Sequence, residues 1–117
     1  MVYEIYVRAK TPANPAFQDG RTASPDAHLA NRSVLDNFEL LYWRNDKRQE
    51  CDYVLKKGQS LIAIEVKSSR ADDLSGFEKF KNLYADRIAE AFIVGPEGLP
   101  LEDFFNLDIK PLFRKIR

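Results

Sequence analysis

An α/β fold, a central mixed β-sheet flanked by helices with the core order α-β-β-β-α-β, is predicted by three observations on this sequence. Short apolar runs with strand spacing stand at Glu39–Trp43, Glu50–Leu55, Leu61–Lys67 and Ala91–Val94. Segments with helical apolar spacing stand before the first run and between the third and the fourth. The short turn Lys56-Lys57-Gly58-Gln59-Ser60 makes a hairpin of the second and third runs. The helical segment before the last run favours a right-handed crossover, which sets that strand parallel to Leu61–Lys67.

Taken in order, Val2–Arg8 alternates as a short strand, and Lys10–Arg21, with Pro12, Pro15 and Gly20, reads as a loop. Ser24-Pro25-Asp26 starts a helix: a capping hydroxyl, proline at the first helical position, then an acid near the positive helix end. Ala27, Ala30, Val34, Leu35 and Phe38 follow at helical spacing and are expected to pack on the sheet. The strand Glu39–Trp43 ends at the polar turn Arg44-Asn45-Asp46-Lys47, and the hairpin comes next. Asp72 or Asp73 starts the second helix, whose apolar stripe is Leu74, Phe77, Phe80, Leu83 and Tyr84. Ala91–Val94 is a buried strand stopped by Gly95-Pro96. Leu101–Leu107 reads as a short helix, and 110–117 as a tail anchored by Leu112 and Phe113.

The third run is where chemistry enters. Leu61–Val66 is almost continuously apolar, the pattern of a strand covered on both faces, yet it carries Glu65 and runs into Lys67. Side chains two apart share a face and lie about 6.6 Å apart along a strand. Asp52 joins them from the neighbouring strand of the hairpin. A lone buried carboxylate costs several kcal/mol or takes up a proton. Two readings follow: Glu65 and Lys67 neutralise each other, or the site holds a cation.

With 117 residues the chain is read as one domain over 1–117: an N-terminal strand and loop in 1–23, a core in 24–94 and a C-terminal extension in 95–117. Acidic and basic residues balance at zero net charge, which argues against coating nucleic acid by bulk charge and leaves room for a local basic groove. Cys51 is the only cysteine, so no intrachain disulfide and no sulfur-based zinc site is expected. No signal peptide and no membrane-length apolar run is seen, and the expected location is cytoplasmic.

Asp52, then Glu65-Val66-Lys67 on the next strand, then a helix and a buried strand, resembles the PD-(D/E)XK restriction-endonuclease-like superfamily. Tyr42-Trp43-Arg44, Glu50 to Leu55 and Ile62 to Ser69 are similar to the C-terminal nuclease-like domain of unknown function carried by prokaryotic AAA-type ATPases. The segment Tyr3 to Phe17, with Asn14-Pro15-Ala16, resembles the opening of that domain. The resemblance implies a restriction-endonuclease-like fold and Mg²⁺- or Mn²⁺-dependent phosphodiester hydrolysis of DNA or RNA. It assigns Asp52, Glu65 and the Val66 carbonyl to the metal, and Lys67 to the attacking water. An attached or partner ATPase is implied too.

This chain departs from the family pattern on its first helix. Alignment of Ala30-Asn31-Arg32-Ser33-Val34 puts Asn31 where many members carry a glutamate, which lowers the expected metal affinity. A catalytically inactive nucleic-acid- or protein-binding module is therefore the alternative. No Gly-x-x-x-x-Gly-Lys-Ser/Thr loop is present, so the chain resembles only the C-terminal part of such ATPases.

The remaining residues of interest have plainer readings. His28 is a surface or half-buried helix residue. Cys51 alternates with Asp52 and is expected in the core on the opposite face. Tyr42 and Trp43 are expected to pack inward. Arg44, Lys47, Arg48, Lys56 and Lys57 cluster around two turns; they are candidates to track a phosphate backbone, but Asp46 and Glu50 dilute them and they read as solvated. Phe104, Phe105 and Phe113 are assigned to the core.

Overall fold

The computed structural model describes residues 24–67 and 73–115; the expected strand Val2–Arg8 and loop Lys10–Arg21 lie outside them. The elements are α1 (Pro25–Asp36), β1 (Glu39–Arg44), β2 (Glu50–Lys57), β3 (Ser60–Val66), α2 (Ser75–Leu83), β4 (Ile88–Val94) and α3 (Leu101–Phe105), with 3₁₀ turns at Ala85–Arg87 and Lys110–Lys115. The order matches the expected α-β-β-β-α-β. One sheet runs β1-β2-β3-β4, antiparallel through the first three strands and parallel between β3 and β4.

Burial explains the continuous apolar run of β3. Ile62 and Ile64 enter a core with Leu29 and Ala30 of α1, Leu40, Tyr53, Leu55, Phe104, Ile109 and Phe113. Leu61 and Ala63 enter a second core with Leu41, Trp43, Val54 and, from α2, Phe77 and Phe80. Helices thus cover both faces, and β3 is wet on neither. Phe104 and Phe113 are buried as expected, and Phe105 packs against the first core.

α1 starts as its sequence dictates: the Ser24 side chain accepts the Ala27 N–H, and Pro25 opens the helix. Its apolar stripe is a different matter. Ala27, Leu29 and Ala30 are buried, but Val34 and Leu35 are 81% and 70% exposed. Val34 lies two turns beyond Ala27 on nearly the same azimuth, so the helix runs past the edge of the packed layer. Helical spacing marks a face; it cannot say how much of that face is covered.

α2 begins at Ser75, later than Asp72 or Asp73. Asp73 still organises the start, its carboxylate accepting from the Ser75 N–H and hydroxyl. Gly76 packs against β2 so closely that a Cβ there would meet the Glu50 carbonyl oxygen at 2.1 Å. Phe77 and Phe80 carry the buried stripe, while Leu83 is half in solvent. The hairpin turn is tighter than expected: β2 and β3 pair up to Lys57↔Ser60, leaving Gly58-Gln59 as the loop, with Gly58 at φ +61°.

Candidate functional site

A bulge in β2 shapes the site. Leu41 pairs with Val54 and Trp43 with Cys51, so Asp52 and Tyr53 together stand opposite Tyr42. The extra residue undoes simple alternation. Cys51 is buried as expected, but in the same core as Val54 and the α2 phenylalanines, not on the far face. Tyr53 enters the other core, where its hydroxyl donates to the Asp26 carboxylate and ties β2 to the start of α1.

The β2–β3 ladder stops at Tyr53↔Ile64. Continued one step, it would pair Asp52 with Glu65. Instead each of these residues uses its carboxylate on the other strand. The Asp52 N–H donates to Glu65 Oε1 at 2.9 Å, and the Val66 N–H donates to Asp52 Oδ2 at 3.0 Å. Two backbone donors freed by the parting strands are thereby satisfied.

Lys67 completes the group. Its Nζ lies 3.0 Å from Glu65 Oε2 and donates to the Asp73 carbonyl at 2.9 Å, while its N–H bonds the Val94 carbonyl of β4. Neutralisation of Glu65 by Lys67 is thus the geometry found. The structure brings Asp52, Glu65 and Lys67 together at one end of the sheet. Asn31 is exposed on α1 and makes no hydrogen bond to them among the described residues.

Burial sets the electrostatics. Glu65 is 4% exposed, and loss of hydration pushes its pKa up, opposed by the Asp52 N–H and Lys67 and reinforced by the Asp52 charge. The Cys51 thiol is pushed up to about 12 by burial and then by Glu65, so it is an inert core group at neutral pH. His28 is half-buried edge-on between the Phe104 and Phe105 rings; burial and then Arg32 lower its pKa.

Two further residues support Lys67. The Asp73 carbonyl holds its ammonium, a backbone role that no side-chain pattern signals. Gly95, at φ +149°, packs so tightly that a Cβ would lie 2.2 Å from the Lys67 carbonyl oxygen. The Gly95-Pro96 stop signal marked the spot but not its duty. A cavity of about 540 Å³ opens beside Lys67, walled by Val66, Val94, Pro96, Pro100 and Leu101. Among the described residues, no three His, Cys, Asp or Glu side chains are grouped to hold a metal.

These features define a mixed α/β domain carrying two acids and a lysine where its hairpin opens. The family model described as Domain of unknown function (DUF4143) matches residues 27–108, and the chain belongs to that family. The domain is one commonly found with AAA-type ATPases. Comparison with curated proteins and with solved structures finds no match. No helix among the described residues is long and apolar enough to cross a membrane.

Proposed function

We propose that this is a restriction-endonuclease-like domain of the PD-(D/E)XK kind, borne by an AAA-type ATPase family protein, that hydrolyses phosphodiester bonds of DNA or RNA with a divalent metal. One observation carries the reading: the exchange of carboxylates between Asp52 and Glu65 at the opening of the hairpin, with Lys67 against the same acid. Such an arrangement gathers two hard-oxygen donors and one cation where the strands part.

The donor set suits Mg²⁺ or Mn²⁺, which take oxygen ligands and keep several waters. Asp52 Oδ1 accepts no hydrogen bond among the described residues, and the Glu65 oxygens each accept one, so lone pairs remain. Asp52, Glu65 and the Val66 carbonyl would hold the ion, which when bound lowers the pKa of a water and offsets phosphate charge. Lys67 adds a fixed positive charge beside the acids and orients the attacking water. The adjoining cavity gives the substrate room.

The second reading is a binding or regulatory module without catalysis. It is favoured by Asn31, exposed and uncharged at the position aligned with a glutamate that many members of the PD-(D/E)XK superfamily carry, and by the Glu65–Lys67 pair, which balances charge without a metal. Incubation with DNA and RNA in Mn²⁺, beside Asp52→Asn and Lys67→Ala, decides between them. Cleavage by the wild type alone supports the nuclease; equal cleavage by all three, or none, removes it. Calorimetric titration gives a second check, with no heat at millimolar Mn²⁺ favouring the inactive module.

A further inference from the structure

We propose that the β1–β2 turn is the phosphate-backbone contact of this domain, with Arg44, Lys47 and Arg48 holding a nucleic-acid strand at the end of the sheet where Asp52, Glu65 and Lys67 meet. The proposal rests on the nucleic-acid reading above and names the surface it requires.

Strand direction separates cations that the sequence groups together. β1 ends, β2 begins, and β3 and β4 end at one edge of the sheet, so the turn 45–49 stands at the site's end. Lys56 and Lys57 flank the turn at the far end, where Lys57 Nζ is occupied by the Asp36 carbonyl at 2.9 Å. From Arg48 to Asp52 is four residues of chain, at most about 13 Å. Measured along the helix axis, that span corresponds to about four base-pair steps of a duplex.

The turn is built, not loose. Asn45 is buried; its side-chain oxygen accepts the Lys47 and Gln49 N–H groups at 2.9 and 3.0 Å, and its amide donates to Gln49 Oε1 at 2.8 Å. Arg48 N–H bonds the Asn45 carbonyl at 3.2 Å. Arg48 itself sits at φ +64°, a conformation that favours glycine. A long cation thus occupies a position where backbone geometry alone would select no side chain at all.

Arg44, Lys47 and Arg48 are exposed, and their side chains have no ion-pair or hydrogen-bond partner among the described residues. Asp46 and Glu50 are exposed on the same turn and leave only a small positive excess. The contact is therefore with a few phosphates, and its affinity is modest and steeply salt-dependent.

The test is fluorescence anisotropy with a fluorescein-labelled 20-mer duplex DNA and the corresponding RNA, in EDTA so that nothing is cut. Arg44→Ala/Lys47→Ala/Arg48→Ala should weaken binding tenfold or more at low salt and lower the log–log salt slope by about two to three for DNA. Lys56→Ala/Lys57→Ala should bind within twofold of wild type. Arg48→Gly relieves the backbone while removing the charge, so its slope should fall by about one with no loss of thermal stability. No binding of either probe by wild type, unchanged binding by the triple variant, or equal loss in both multiple variants overturns the proposal. Turn-dependent binding without Mn²⁺-dependent cleavage sinks catalysis alone. Cleavage with an unchanged KM in the triple variant sinks the turn alone.

Discussion

Asp52 and Glu65 stand across from each other where the β2–β3 ladder ends, and each turns its carboxylate onto the partner strand's backbone. The Asp52 N–H donates to Glu65, and the N–H of Val66, next in line, donates to Asp52. The opening in the hairpin is closed by side chains, which is why both acids are held at the same point. A site and a strand terminus are here the same piece of structure.

This relationship separates a structural from a chemical role for Asp52. Asp52→Asn keeps an acceptor for the Val66 N–H, so stability should fall by less than about 1 kcal/mol. Asp52→Ala leaves that donor unpaired and should cost about 1–3 kcal/mol. Urea denaturation measures both. Equal loss in the two variants would show that the hydrogen bond does not hold the strands.

Glu65 should leave a mark on the pH dependence of stability. Burial raises its folded-state pKa above the ordinary 4.5, so between the two values the folded protein keeps a proton that the unfolded chain releases. Stability of the wild type relative to Glu65→Gln should fall as pH rises through that window, by no more than about 1.4 kcal/mol per pH unit, and level off above it. A relative stability that climbs with pH over this range would contradict the raised pKa.

Gly95 should be intolerant of a side chain. Its φ of +149° and the 2.2 Å approach of a Cβ to the Lys67 carbonyl both oppose Gly95→Ala. A loss of about 2–4 kcal/mol is expected. Gly58, at φ +61° with open space around it, should lose only about 1 kcal/mol as alanine. Comparable melting temperatures for the two variants would argue against the close packing.

The α2 layer should depend on Phe80 far more than on Leu83. Phe80 is fully buried between Trp43 and Tyr84, and Phe80→Ala should cost about 3–5 kcal/mol. Leu83, 36% exposed, should lose under about 1.5 kcal/mol on the same change. Denaturant midpoints at constant m-value would establish the difference.

Much of this was legible in the chain itself. Ser24-Pro25 marks the start of α1, the apolar run 61–66 declares a strand covered twice, and strand-helix-strand order sets β4 parallel to β3. Strand periodicity of two was enough to bring Glu65 and Lys67 to one face, because it follows from the backbone of any extended segment. Charged residues at the end of such a run signal a paired or functional site, because an unpaired charge is costly there.

Other features depend on contacts between distant residues, and local pattern carries no record of them. One extra residue in β2 moves Cys51 into the core beneath α2, a matter of pairing between β1 and β2 rather than of either sequence alone. The edge of a packed layer leaves Val34 and Leu35 in solvent although their spacing matches Ala27 and Ala30. Strand direction parts Arg44, Lys47 and Arg48 from Lys56 and Lys57. Residue order is enough to say which segments are extended, which are helical and which residue types must be buried, since those follow from backbone geometry and hydration. Register, coverage and the satisfaction of each freed backbone donor come from the packed fold, because they arise only when separate segments compete for the same space and the same hydrogen bonds.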